Sequence, residues 1–86
     1  MLLEILTPER RIYSGDVYGV QLPGISGLFE VLNRHAPMVS ALAKGQIKVL
    51  VNAKGTNNQQ FSIEGGFVEI LDNKATVLVE GATEVL

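Results

Sequence analysis

Gly24-Ile25-Ser26-Gly27-Leu28-Phe29-Glu30-Val31-Leu32-Asn33-Arg34-His35-Ala36-Pro37 sets turn glycines, a short apolar run, the single histidine and a proline in one unbroken stretch. Just before it, Tyr18, Val20 and Leu22 alternate with Gly19 and Gln21, and Pro23-Gly24 supplies a turn. Two strand-like segments on either side of glycines that tolerate positive φ predict a hairpin. Outward from this hairpin the period of two recurs. Ile47, Val49 and Val51 oppose Gln46, Lys48 and Leu50, Phe61 and Ile63 oppose Gln60, Ser62 and Glu64, and Ala75, Val77 and Val79 oppose Thr76 and Glu80. Leu3 with Ile5 offers a first short strand. Such alternation is the mark of strands buried on one face only.

Turn chemistry separates these runs: Thr7-Pro8-Glu9, Ser14-Gly15-Asp16, Lys54-Gly55-Thr56-Asn57-Asn58 and Asp72-Asn73-Lys74. Asp72-Asn73 suits a tight hairpin, because both residues tolerate the left-handed region. Gly65-Gly66, inside an otherwise strand-like run, predicts a bulge or a corner between sheets. Short strands at this spacing predict an all-β fold, an antiparallel β-sandwich or flattened barrel of two sheets. One segment dissents on local grounds. Pro37-Met38-Val39-Ser40-Ala41-Leu42-Ala43-Lys44-Gly45 has proline at a first helical position, good helix formers and a glycine stop, and so predicts a two-turn helix.

The chain has 86 residues, 47% of them hydrophobic and 19% charged, with a net charge of −2 and no cysteine. This length is one domain, which buries somewhat more than about 60% of its unfolded surface. Without a cationic cluster beyond Arg10-Arg11 it lacks the footprint of a nucleic-acid binder. Absence of cysteine removes disulfides, thiolate catalysis and cysteine-ligated zinc. Apolar runs fall well short of the roughly 20 residues that span a bilayer. The Met1-Leu2-Leu3-Glu4 start has neither a signal peptide's basic opening nor a transit peptide's arginines, so neither membrane insertion nor export is expected.

Chemistry is equally sparse. His35 is the automatic candidate for acid, base or ligand, yet no second histidine accompanies it and no metal site is expected. Ser14, Ser26, Ser40 and Ser62 lie outside any nucleophile-elbow pattern. Gly65-Gly66 lacks the Lys-Ser/Thr of a phosphate loop. Glu64, Glu69, Glu80 and Glu84 fall at solvent-facing positions of the alternation, where charge keeps a small β domain soluble. No catalytic residue and no cofactor is assigned.

The Gly24–Pro37 stretch, followed by Ala43-Lys44-Gly45-Gln46-Ile47 and Glu64-Gly65-Gly66-Phe67-Val68-Glu69-Ile70, resembles the N-terminal domain of the epsilon subunit of F-type rotary ATP synthases, called delta in mitochondria. The resemblance runs from Leu3 to about Glu80. It implies a β-sandwich, with Pro37, Gly45, Gly65 and Gly66 in structural roles and an extended segment where local propensity favours the helix. It further implies a non-catalytic rotor subunit that joins gamma to the membrane c-ring and supports coupling of proton flow to ATP synthesis.

Carried over by position, the c-ring contact falls on Ser26, Gly27, Leu28, Phe29 and Glu30 with Arg34 and His35. The gamma contact falls on Thr7, Met38, Ser40 and Leu42. The implied location is peripheral, on the cytoplasmic side of a bacterial inner membrane or on a plastid thylakoid. Leu28 stands where many members of that family carry an acidic residue. Gly81-Ala82-Thr83-Glu84-Val85-Leu86 is too short for the helical hairpin that follows the sandwich in many of them. The expectation is a single 1–86 domain with neither a helical latch nor nucleotide binding. A stand-alone β-sandwich adaptor is the alternative, and a small hydrolase using His35 the third.

Overall fold

The computed structural model describes residues 1–56 and 58–85; Asn57, expected in the Lys54–Asn58 turn, and Leu86 lie outside the described residues. Among the described residues ten strands follow one another: β1 Leu2–Leu6, β2 Arg11–Asp16, β3 Gly19–Gly24, β4 Gly27–Leu32, β5 Met38–Leu42, β6 Gly45–Leu50, β7 Gln59–Ile63, β8 Gly66–Leu71, β9 Lys74–Val79 and β10 Ala82–Val85. They form two layers. One runs β4-β3-β6-β7-β10 and the other β5-β8-β9-β1-β2, joined where Gly24 pairs with Leu42. The expected sandwich is therefore present, with one departure from a wholly antiparallel arrangement. β1 lies parallel to β9, Leu3 beside Ala75 and Ile5 beside Val77. The rest of the chain between them supplies the long crossover that a parallel pair requires.

Alternation places the core. Leu3, Ile5, Val20, Leu22, Val31, Ile47, Val49, Ile63, Val68, Ile70, Ala75 and Val77 project between the layers and are fully shielded or nearly so. Tyr13 of β2 meets Phe61 of β7 across the gap, their rings edge to face at 6.1 Å and 67°, a preferred aromatic geometry. Tyr18 breaks the expected parity. The chain crosses between layers there, so Val17 takes the buried position and Tyr18 turns outward, its N–H donating to Leu50 O at 2.9 Å.

Two local expectations yield to long-range pairing. Ser14-Gly15-Asp16 is not a turn but the end of β2, with Ser14 opposite Glu4, Gly15 opposite Leu3 and Asp16 opposite Leu2. Pro37–Gly45 is not helical. Met38–Leu42 is β5, laddered along β8 from Met38↔Ile70 to Leu42↔Gly66, and sheet pairing overrides the weak preference of a segment too short to be a stable helix by itself. Ala82–Val85, unassigned in sequence, is β10 and pairs with β7.

Asp72 and Asn73 do form the tight β8–β9 turn, with φ of 52° and 61°. Gly65 and Gly66 carry the chain from one layer to the other with φ of 148° and 155°. That corner is closed by Glu64 N–H donating to Glu80 O and Glu80 N–H donating to Gly65 O. Gly45 opens β6 so close to Pro23 that a Cβ on it would sit 2.8 Å from the proline Cβ.

Strand direction sorts the loops into two opposite ends. Thr7–Arg10, Ile25-Ser26, Ala43-Lys44, Glu64-Gly65 and Glu80-Gly81 share the hairpin end. Val17-Tyr18, Asn33–Pro37 and Asp72-Asn73 share the histidine end.

Candidate functional site

Cross-strand neighbours share a face, so the register also shows what each layer presents to solvent. On the β5-β8-β9-β1-β2 layer one outward row runs Ala41, Phe67, Leu78, Leu6, and the next runs Val39, Glu69, Thr76, Glu4. Phe67 is 58% exposed, Leu78 52% and Val39 73%. Leu6, Thr7, Pro8, Gly66, Phe67, Leu78, Val79 and Glu80 line a groove of 310 Å³ at the hairpin end of this face. The other layer differs. Gln21, Lys48, Gln60, Gln46 and Ser62 occupy its central outward positions, with exposed Leu28, Leu32 and Val85 toward its edges, so its centre is polar where the opposite layer carries the Phe67–Leu78 row. A contiguous exposed apolar patch on a small soluble fold marks an interaction surface.

The charged half of the apolar layer is organised around Glu4. Its carboxylate accepts Lys74 Nζ at 3.1 Å and lies 3.5 Å from Arg11 Nε. The hydrogen bond from Lys74 holds Glu4 below the ordinary carboxylate range against the opposing effect of desolvation, with the charges of Lys74 and then Arg11 adding to the lowering. Because the folded-state pKa is depressed, this contribution to stability is complete above the unfolded carboxylate pKa of about 4.3. It is lost as pH falls through the folded value. Thermal melts from pH 7 down to pH 2 are therefore expected to show a shallower acid limb for Glu4→Gln than for the parent chain; superimposable limbs would remove Glu4 from the account.

His35 sits at the histidine end, exposed, its Nδ1 2.7 Å from the carbonyl of Ala36 and its N–H bonded to Leu32 O. Among the described residues no group of three His, Cys, Asp or Glu side chains is arranged to hold a metal. A ring bonded to its own neighbour supports a local turn and no relay. His35→Ala is accordingly expected to change unfolding free energy by no more than about 0.5 kcal/mol, measurable by urea titration.

A family model, described as "ATP synthase, Delta/Epsilon chain, beta-sandwich domain", matches residues 1–85. The chain belongs to the ATP synthase delta/epsilon family. Among members of that family, the ATP synthase epsilon chain of Chlorobium limicola is 41% identical over 78 residues, 91% of this chain and 86% of the relative. The epsilon chain of Campylobacter hominis is 40% identical over 85 residues, 99% of this chain and 65% of the relative. Two solved structures share the fold. One is a chain in the Euglena gracilis mitochondrial ATP synthase, with a TM-score of 0.88 at 23% identity, covering 98% of this chain and 52% of that one. The other comes from the central stalk and c-ring of the Tetrahymena thermophila mitochondrial enzyme, with a TM-score of 0.81 at 18% identity, covering 96% and 65%. The chain thus spans about half to two thirds of these longer matches.

Within this delta/epsilon sandwich the residues singled out from sequence fall unevenly. Thr7 lies on the rim of the apolar groove. Met38, Ser40 and Leu42 pair with Ile70, Val68 and Gly66 on the inward side of β5, with Leu42 buried and Met38 packed against the core. Val39 and Ala41 are the outward side chains of that strand, whereas Met38, Ser40 and Leu42 take its inward positions. Ser26 and Gly27 belong to the β3–β4 hairpin tip, flanked by Ile25 (70% exposed) and Leu28 (67%). Phe29 turns inward and is packed on the core, while Glu30 is exposed. Arg34 and His35 do not cluster with the tip. They lie beyond the far end of β4, a strand that extends about 3.3 Å per residue over six residues.

Phe67, Leu78, Val39 and Ala41 were not singled out from sequence as contact residues. A signal existed, because Phe67, Leu71 and Leu78 stand at positions where alternation with buried Val68, Ile70, Val77 and Val79 already demands an outward side chain.

Proposed function

We infer that this chain serves as a non-catalytic central-stalk subunit of a proton-translocating ATP synthase, a rigid block between gamma and the c-ring that keeps proton flow coupled to ATP synthesis. The observation that carries the assignment to gamma is the outward apolar face of Val39, Ala41, Phe67, Leu78 and Leu6. Burying such a face contributes roughly 25 cal/mol per Å², and interface energy concentrates on a few aromatic and aliphatic anchors. Two cross-linked sheet layers give the stiffness that torque transfer needs. Thr7, at the groove rim, belongs to the same contact.

For the ring, the geometry favours a lengthwise contact. β4 is hydrogen-bonded to β3 alone among the described strands, so its outer edge, Leu28, Glu30 and the two ends carrying Ser26-Gly27 and Arg34-His35 form one side of the sandwich. This side lies along the ring, and Phe29 anchors the hairpin from within. Among the described residues no helix is long and apolar enough to cross a membrane, and the location proposed with these two contacts is peripheral, on the cytoplasmic face of a bacterial inner membrane or on a thylakoid. The sandwich has scaffold duties only, with no nucleotide bound to it. The test is native mass spectrometry of the chain mixed with its cognate gamma subunit: a one-to-one complex is expected. Two separate species would favour a free-standing adaptor instead.

A further inference from the structure

Among the described residues three non-glycines have left-handed backbones, Arg34 (φ 65°), Asp72 (φ 52°) and Asn73 (φ 61°), and all three meet at the histidine end. For Asp72 and Asn73 the two-residue turn between paired Leu71 and Lys74 explains it. Arg34 is third in the Leu32–His35 turn closed by the His35 N–H to Leu32 O at 3.2 Å, a place that needs φ > 0 and usually takes glycine or asparagine, so arginine there is strained unless its surroundings fix it. Its surroundings do. The Arg34 N–H donates to Asn73 Oδ1 at 2.7 Å, across 39 residues of chain.

The same Asn73 amide donates from Nδ2 to Asn33 Oδ1 at 2.9 Å, and that oxygen also accepts the Met1 ammonium at 2.9 Å. The main chain of Asn73 is held as well, its carbonyl accepting the Leu2 N–H at 3.1 Å. Both side-chain atoms of Asn73 are thus engaged with consecutive residues of the β4–β5 link, and their opposite polarities fix which way round the amide sits. Asparagine is also a residue that tolerates the left-handed turn position itself.

We propose that Asn73 is the positioning residue of the Arg34–His35 loop: the β8–β9 turn reaches across the end of the sandwich and sets the backbone geometry in which those two side chains are presented to the ring. Neither salt bridges nor core packing do this work. Arg34 makes no ion pair among the described residues, and His35 bonds only to Leu32 and Ala36. The proposal rests on the reading that this loop is part of the ring contact, and its test keeps the two separable.

Asn73→Gly keeps the left-handed backbone and removes the amide; Asn73→Ala serves as a second variant. Amide hydrogen exchange, resolved by residue in the 86-residue chain, is expected to speed up about fivefold to tenfold or more at Arg34 in Asn73→Gly, with core amides of β1 and β9 nearly unchanged. Unchanged exchange at Arg34 overturns the proposal. In epsilon-depleted ATP synthase reconstituted in vesicles, Arg34→Ala and Asn73→Gly are expected to weaken proton-coupled ATP synthesis in the same direction. If Arg34→Ala impairs coupling and a faster-exchanging Asn73→Gly does not, positioning by Asn73 is refuted. If Arg34→Ala and His35→Ala both leave coupling intact while exchange at Arg34 is accelerated, the ring reading of the loop is what fails.

Discussion

Gly66→Val is expected to lose at least about 3 kcal/mol of unfolding free energy, combining backbone strain with overpacking against main chain. A Cβ at this position would fall on the carbonyl oxygen of Leu78 and lie 2.9 Å from Val79 Cα. No rotamer escapes the clash, because the obstructing atoms are backbone paired in the β8–β9 ladder. The φ of 155° adds a conformation that a β-branched residue does not follow. A domain of this length has only about 4 to 13 kcal/mol to lose, so the variant is expected to be largely unfolded or to melt far below the parent. Gly65→Ala separates the two causes. Its φ of 148° is equally unusual, but the nearest atom to its Cβ would be Leu42 O at 3.5 Å, so strain acts there without a clash and the loss should be about 1 to 3 kcal/mol. Chemical denaturation of the parent and both variants measures the ranking. A Gly66→Val midpoint equal to that of the parent would show that the corner opens without cost.

Phe67→Asp is expected to leave the sandwich folded and to weaken binding to gamma by about 30-fold or more, the effect of removing an interface anchor worth at least about 2 kcal/mol. Phe67 stands outward on β8 between Ala41 of β5 and Leu78 of β9 and forms one wall of the groove. A carboxylate there is solvated in the free chain but lies against an apolar partner in the complex, where its desolvation is uncompensated. Gln60→Asp, on the outward side of the polar layer, supplies the same charge change away from the proposed contact and should bind as the parent does. Titration calorimetry against gamma compares them, with near-identical thermal melts as the folding control. Equal weakening by both variants would point to net charge as the cause, and normal binding by Phe67→Asp would move the gamma contact off this face.

How far a sequence leads depends on which forces are local. Leu3, Ile5, Val20, Leu22, Ile47, Val49, Phe61, Ile63, Val77 and Val79 were legible as core because side chains alternate across any strand, whatever it pairs with. The Asp72-Asn73 turn was legible because left-handed tolerance belongs to the residue itself. Ser14–Asp16 was misjudged on local propensity, and at Pro37–Lys44 the local helix signal gave way to the extended segment the resemblance implied, for the complementary reason: their conformations are set by ladders to Leu2–Glu4 and to β8, residues distant in sequence. Which face of a strand a candidate contact takes is decided in the same way. Parity along β5 decides whether Ser40 or Val39 faces outward, and that parity is fixed by pairing with Val68 and Glu69.

By itself the sequence determined an all-β sandwich, a core built by alternation, the Asp72-Asn73 turn and the Gly65-Gly66 corner, and the family resemblance carried by Gly24–Pro37, Ala43–Ile47 and Glu64–Ile70. Tertiary structure alone decided that Ser26 and His35 lie at opposite ends of one strand, that Phe67 and Leu78 join Leu6 into an apolar face, that β1 runs parallel to β9, and that Asn73 holds Arg34 across 39 residues. The division follows the range of the interactions. Alternation and turn preference act within a few residues, whereas faces, ends and cross-chain hydrogen bonds exist only once distant strands have chosen their partners and register.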